Sequence, residues 1–426
     1  MIVIVGAGLS GLSTAMFLKR EYCLLEKEAS PGGLARSIRQ DGFTFDYTGH
    51  WLHVRLPWIN DLLNCMPGMW KHHQRDARIW SHERLIPYPF QINLGSLPYD
   101  VVLECLMGMI EARAKRWSRP IRTFEDFILR SMGKGVARHF MIPYNCKIWK
   151  LHPRRMTTDW MGRFVPRPEI EKALRSALRP SEVLATGYNA GFQYPVSGGI
   201  NMLPKELARH VGNLRLNVAV EEVSLKRRQV RLSDGTCLDF SHLVSSMPLK
   251  QLVDRTVDAP ARIRAAAERL AWTSVMCLHL GVTDVRQPLH WVYVPQSEIP
   301  FYRIGCYSNV DAGLAPAGAG AFYVEFSYRK RVSASAFRID PETVVKHMKR
   351  IGLVGPQAHL LTAVYTPIEY AYVAYNADRK AAVRTLLDFY QAHGVCSIGR
   401  YGAWEYSSME DAMEIGRQTA ETFNRE

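Results

Sequence analysis

The sequence predicts an α/β fold with a parallel sheet at its centre, and three observations carry that prediction. The chain begins with an apolar run, Met1 to Val5, that leads directly into Gly6-Ala7-Gly8-Leu9-Ser10-Gly11. A helix-like pattern through Leu12, Ala15, Met16 and Leu18 follows, and then a second apolar run, Cys23-Leu24-Leu25, that ends in Glu26. Far downstream, short strands and turns recur from Leu214 to Pro248. Continuous apolar runs are the signature of strands buried on both faces of a parallel sheet. Together these features predict a Rossmann-like domain with a parallel sheet and a β-meander, interrupted by a helical insertion and joined to a strand-rich region.

The first 36 residues also carry chemistry. Gly6, Gly8 and Gly11 permit a tight turn, close approach of backbone to a pyrophosphate and close helix–strand packing. A helix starting near Ser10 offers free N–H groups and the positive end of its dipole to phosphates. Glu26, one βαβ unit on, is placed to accept hydrogen bonds from a ribose. The bare pattern therefore predicts a bound dinucleotide.

The next stretch selects among dinucleotides. Glu26-Lys27-Glu28, then Gly32-Gly33-Leu34-Ala35-Arg36, resembles the second glycine motif of FAD enzymes of the amine oxidase and protoporphyrinogen oxidase type. The resemblance implies FAD in a domain of the glutathione reductase type, with Gly32, Gly33, Leu34 and Arg36 closing over the pyrophosphate beside Glu26 and Lys27. It implies further that Val220 lies against the adenine and that Gly49 and His50 form a turn at the flavin. The segment Gly399-Arg400 to Ser408-Met409 is similar to the C-terminal FAD motif of that superfamily, where a turn and a helix N-terminus meet the cofactor.

Residues 57 to 193 are rich in helix-like patterns, prolines and aromatics, among them Tyr99, Trp117 and Tyr188. The expected division is FAD-binding segments at 1–60, 194–255 and 385–426, a helical substrate domain at 61–193 and a strand-rich substrate domain at 256–384. In the last, a helix is expected over Ala261 to Leu270, with strands over Val275 to Leu280, His290 to Val294, Ala321 to Tyr328 and Leu361 to Tyr375.

Tyr88-Pro89-Phe90-Gln91, Tyr144-Asn145-Cys146-Lys147-Ile148-Trp149, Asp159-Trp160-Met161-Gly162-Arg163 and Phe301-Tyr302-Arg303 with Ser308-Asn309 resemble segments of the UDP-galactopyranose mutase family. The resemblance implies a flavin-dependent pyranose–furanose mutase acting on a nucleotide-diphospho sugar of the UDP-galactose type, with N5 of reduced FAD attacking the anomeric carbon. NADPH or another reductant would supply the reduced form. Gln91 and Asn145 would read a uracil edge, with Phe90 or a nearby ring stacked on it; the rival reading is that both amides satisfy local backbone. Tyr88, Trp149, Trp160, Tyr302 and Asn309 would line the substrate site. Arg303 would grip the diphosphate, or else serve in a strand-face ion pair. Arg163 matches a family arginine only after a one-residue shift, since an ungapped count from Asn145 puts that position on Phe164. Tyr406 would hydrogen-bond the diphosphate, His50 would touch the flavin, and Tyr375 is the aromatic expected to reach the site from its strand. Two departures stand out: Thr273 lies where bacterial mutases carry a diphosphate arginine, and Ser408 where they carry an aspartate. A net-redox FAD oxidase or desaturase would share every FAD motif.

Composition limits the partners. The charge is +14, with 54 Lys and Arg, which favours anionic ligands. The basic clusters, Arg113 to Arg119, Lys226 to Arg231 and Arg329 to Arg331, are short and read as solvated faces. No single basic stripe carries stacking aromatics, so no nucleic-acid partner is expected. The eight scattered cysteines form no CxxC pair, which predicts no metal site and a reducing, cytoplasmic setting. With the first strand at Met1, no signal peptide is expected. No apolar run reaches the roughly 18–20 residues of a membrane helix; Val101 to Ile110, interrupted by Glu104, reads as a core helix. Oligomeric state is not legible.

Overall fold

The computed structural model describes residues 1–66, 68–180, 190–329 and 333–426. Tyr188, and Lys330 and Arg331 of the third basic cluster, lie outside the described residues.

The central parallel sheet runs in the order Val395–Ser397, His242–Ser245, Ile2–Val5, Tyr22–Leu25, Leu214–Arg215. Ile2–Val5 is buried throughout, as a strand with parallel neighbours on both sides must be. Helix Leu9–Phe17 follows it. The C-terminal helix Met409–Arg425 packs across this helix, with Ser13 Oγ donating to Met413 O at 2.6 Å. Val220–Ser224, Gln229–Leu232 and Cys237–Asp239 form the antiparallel meander. The α/β fold expected from the glycine-centred N-terminus is the fold observed.

The strand-rich region builds a seven-stranded sheet in the order Leu360–Val373, Trp272–Thr283, Ala319–Arg329, Arg303–Cys306, Trp291–Tyr293, Ala77–Ser81, Arg84–Pro87. Helix Pro341–Ile351 covers one face with Val344 and Met348 against Met276, Leu278 and Leu280. Phe45, Trp51, Tyr194, Trp291 and Tyr323 form a separate aromatic core.

The stretch expected to be helical is not wholly so. Trp70–Gln74 pairs with Gly191–Pro195, and Ala77–Ser81 with Arg84–Pro87 extends the large sheet. Trp70–Gln74 and Ala77–Ser81 are fixed by partners more than 100 residues away, which a local hydrophobic pattern does not reveal. The helices proper are Tyr99–Ala114, Phe124–Val136, Ile142–Trp149 and Ile170–Leu178. Thr123 and Asp126 start the second with a capping box. A π-turn at Ala137–Met141 joins it to the third.

Buried titratable groups give this fold a pH dependence. Desolvation holds His50 and His290 at about 4 and His279 at about 3, and raises Asp46 to about 6. A histidine depressed in the fold stabilises fully above its unfolded value of about 6.5 and loses that contribution as pH falls toward the folded value. Asp46, raised in the fold, acts oppositely: its contribution is present below about 4 and lost as pH rises through about 6. Three histidines oppose one carboxylate. Unfolding free energy from urea titrations of the flavin-loaded protein is therefore expected to fall between pH 6.5 and 4, by up to about 1.4 kcal/mol per pH unit for each net group. His279→Gln should flatten the slope; an unchanged slope would refute the assignment.

Candidate active site

Two adjoining features make the site: a cradle of bare backbone and a cavity lined with rings, amides and one arginine.

The cradle starts where Ile2–Val5 ends. Gly6 turns the chain at φ 93°, and its N–H donates to Leu25 O at 2.8 Å. No side chain caps helix Leu9–Phe17. Gly8 bridges Gly32, and a Cβ on Gly33 would stand 3.3 Å from the Gly8 Cα. The helix N-terminus thus meets a strip of main chain with no side chain between. Glu26 is buried; its Oε2 accepts from Ala7 N–H at 2.8 Å and its Oε1 from Glu28 N–H at 3.0 Å. The carboxylate braces the glycine turn. Arg36 Nε donates to Gly33 O at 2.8 Å, and its guanidinium lies over the Tyr47 ring. Leu34 is half-buried, whereas Lys27 is exposed and pairs with Glu28. Val220 is buried on the meander.

The C-terminal segment closes on the same place. A Cβ on Gly399 would come within 2.5 Å of Ser10 Oγ. Arg400 donates to Ser407 O at 2.5 Å and to Ala371 O at 3.2 Å. Ser408 caps helix Met409–Arg425, whose first residue is Met409, through a capping box with Asp411. An uncapped helix start, bare glycines and a buried acid one βαβ unit on fit the adenosine diphosphate half of FAD. Gly49 and His50 lie between cradle and cavity. His50 Nδ1 contacts Thr48 O at 3.2 Å. After desolvation, the Arg400 and Arg303 charges press its pKa down to about 4, so the ring is neutral at neutral pH.

The cavity has a volume of about 130 Å³. Phe90, Phe140 and Tyr144 stack in a ladder, with centroids 5.2 and 5.3 Å apart and planes within 15°. Phe140 and Tyr144 face the cavity, and Phe90, fully buried, backs Phe140. Gln91 and Asn145 stand beside them. Gln91 Nε2 donates to Pro166 O at 2.9 Å. Asn145 Nδ2 donates to Met141 O at 2.7 Å, and its Oδ1 accepts from Trp149 Nε1 at 3.1 Å. Both amides are therefore partly engaged in local structure while lining the cavity. Trp149 and Trp160 form its wall. Lys147, from the same segment, instead donates to Val294 O and Gln296 O and ties its helix to that loop.

Arg303, Tyr88, Tyr293, Tyr372 and Tyr406 also line the cavity, Tyr293 lying edge-on to Tyr144 with centroids 5.4 Å apart. Arg303 reaches the cavity while forking onto Glu325, Nε to Oε2 and Nη2 to Oε1, both at 2.6 Å. Arg75 lies over the Tyr88 ring at 4.7 Å and is itself buried. Tyr406 is edge-on to Phe164, has Arg400 over its ring at 4.6 Å, and donates its N–H to Tyr375 Oη at 2.8 Å.

Several expected residues sit elsewhere. Arg163 does not line the cavity; it pairs with Asp411 at 2.5 Å, and Phe164 takes the cavity position, as the ungapped count had it. Asn309 is spent on Gln287 O and Leu289 O. Tyr302 is buried behind the wall, 3.4 Å from Tyr372 Oη. Tyr375 supports Tyr406 from outside, and Tyr372 is the strand tyrosine that reaches the cavity. A register shift opposite Thr273 and Val275 re-aims this part of the strand. Thr273 donates to Trp149 O at 2.5 Å and so anchors the cavity helix. Arg75, Phe140, Tyr293 and Tyr372 were not anticipated. Arg75 carries no motif signal at all, whereas Phe140 could have been found as the ring four residues before Tyr144, one helical turn away.

Comparison with known proteins agrees with this geometry. A family model for the NAD(P)-binding Rossmann-like domain matches residues 4–66, and one for flavin containing amine oxidoreductases matches residues 155–318. The structure of reduced UDP-galactopyranose mutase superposes with a TM-score of 0.92 at 26% identity, covering 100% of this chain and 95% of that one. In sequence, the chain is 25% identical to a zeta-carotene-forming phytoene desaturase of Myxococcus xanthus, over 76% of this chain and 71% of that protein. It is 23% identical to a 4,4'-diapolycopene oxygenase of Methylomonas sp, over 86% and 84% respectively. The chain is thus similar over its whole length to UDP-galactopyranose mutase, and its matches fit an FAD-dependent enzyme of the amine oxidase superfamily.

Proposed function

We propose that this flavoenzyme is a pyranose–furanose mutase acting on a nucleotide-diphospho sugar of the UDP-galactose type. The observation that carries the reading is the lining of the cavity: stacked rings and two amides share it with Arg303. A nucleobase needs a flat apolar face and amide partners for its edge. A diphosphate needs a planar cation.

In this reading Tyr144 and Phe140 hold the base and Gln91 and Asn145 meet its edge. Arg303 takes the diphosphate, with Arg75 as the second cation behind Tyr88 and Tyr406 contributing its hydroxyl. Reduced FAD supplies the nucleophile for the anomeric carbon when bound. The chain's own part is to orient the sugar toward the cradle and stabilise the departing diphosphate. His50, kept neutral by burial and by the charges of Arg400 and Arg303, adds no charge there. Segments 1–60, 194–255 and 385–426 serve FAD; 61–193 and 256–384 serve the sugar nucleotide. NADPH or another reductant would generate the active flavin. The eight free cysteines suit a reducing, cytoplasmic setting.

A second reading, a net-redox desaturase or oxidase, is favoured by the carotenoid-enzyme sequence relatives. One anaerobic experiment separates the two. Incubate the protein, with flavin reduced and with flavin oxidised, with UDP-galactopyranose and UDP-galactofuranose, and resolve products by chromatography. Interconversion with reduced flavin alone is the expected result. No interconversion, with flavin reduced by some other substrate, would replace the mutase reading with the redox one.

A further inference from the structure

The helical region carries a charge and an apolar face that the cavity does not use. Residues 99–180 contain 17 Lys and Arg against 8 Asp and Glu, a surplus of nine out of the chain's +14. The same region exposes large apolar side chains along one helix. In Tyr99–Ala114, Tyr99 is 77%, Leu103 46%, Met107 46% and Ile110 45% exposed. Their spacing puts them on one side, while Val101, Cys105, Met109 and Ala112 face the core. The core helix expected from the sequence is thus a core helix on one face only.

The ends of this stripe are distinctive. Tyr99 stands at the N-terminus. Just past the C-terminus Trp117 is 39% exposed, with Lys115 Nζ 4.6 Å and Arg130 Cζ 4.8 Å from its ring centroid. Arg113, Arg116 and Arg119 are exposed at the same end. Sixteen residues of helix span about 24 Å. An aliphatic stripe of that length, with aromatic ends and a basic rim, matches a helix lying in a bilayer interface.

We propose that this face docks the protein on an anionic lipid surface. Aliphatic side chains would enter the acyl boundary, Tyr99 and Trp117 would sit at headgroup level, and the basic rim would meet lipid phosphates. A second copy is the poorer occupant, because a self-complementary contact would bring two strongly basic regions together. Among the described residues no helix is long and apolar enough to cross a membrane, so the contact is peripheral.

The test is co-sedimentation of the flavin-loaded full chain with vesicles of phosphatidylcholine alone or mixed with phosphatidylglycerol. Binding is expected only with the mixed vesicles and should fade with added salt. Combining Leu103→Glu, Met107→Glu and Ile110→Glu should lower vesicle partitioning at least about tenfold, since each change removes an exposed aliphatic group that would enter the acyl boundary and adds a repelled charge. Flavin content should not change, because all three side chains are exposed. Removing one rim cation, as in Arg116→Gln, should lower it by roughly fivefold. Failure to bind mixed vesicles, or equal binding by the triple variant, would overturn the proposal. So would light scattering showing a dimer that the triple variant dissolves, which would make this face a contact between copies.

Discussion

Arg303→Ala is expected to lose nucleotide affinity and several kcal/mol of stability together. The side chain faces the cavity while forking onto Glu325, which is only 1% exposed. Deleting the cation removes a charge-assisted partner of the diphosphate, worth about 1.5–3 kcal/mol, or roughly 10- to 150-fold in UDP affinity. It also strands a buried carboxylate, which destabilises by about 3–5 kcal/mol. The single variant would therefore confuse a binding defect with a folding defect. Arg303→Met combined with Glu325→Leu separates them. Replacing both partners with apolar groups leaves no uncompensated charge, so stability should return close to the parent value, while UDP should still fail to perturb the flavin spectrum. If the double variant bound UDP like the parent, Arg303 would have no place in the site. Arg163→Ala is the contrasting control. Its guanidinium is paired with Asp411 outside the cavity, so its effect on UDP affinity should be clearly smaller.

The contrast between these arginines shows what the sequence made legible. The glycine turn, Glu26 and the capped C-terminal helix are local constellations whose geometry follows from spacing, so they could be read directly. Gln91 and Asn145 were readable because each lies in a short distinctive segment. Arg75 was not, because it meets Tyr88 only after Trp70–Gln74 has paired with Gly191–Pro195 and the chain has turned back along Ala77–Ser81. Phe90 was legible as an aromatic but not as the hidden member of a stack completed by Phe140, fifty residues on. Tyr375 was expected at the site, but its strand ends at Val373, and Tyr372, still within the strand, is the tyrosine that lines the cavity. Arg163 was preferred to Phe164 because chemistry argued for a cation and only the count argued for a ring. For Arg75 and Phe90, contacts between distant segments set the arrangement behind the cavity wall.

Gly11→Ala is expected to yield a protein without flavin. On an exposed helix the change would be favourable, since alanine is the better helix former by about 1 kcal/mol. Here a Cβ on Gly11 would stand 1.9 Å from the carbonyl oxygen of Gly6, which is main chain and cannot rotate away. Helix Leu9–Phe17 must then lift from strand Ile2–Val5, and the opposing term exceeds the propensity gain. Overpacking of this kind costs about 3 kcal/mol at the upper end of its usual range. The movement also widens the gap between the uncapped helix start and the Gly32-Gly33 strip, so the cradle loses its geometry even if the chain stays folded. Gly212→Ala provides the comparison: nothing lies within 4 Å of a Cβ there. The parent and Gly212→Ala should be yellow and release flavin on denaturation. Gly11→Ala should be colourless and resist loading with FAD. Full flavin content in Gly11→Ala would mean that the helix can shift without loss of cofactor, and that close helix–strand packing at Gly11 is not what holds the site.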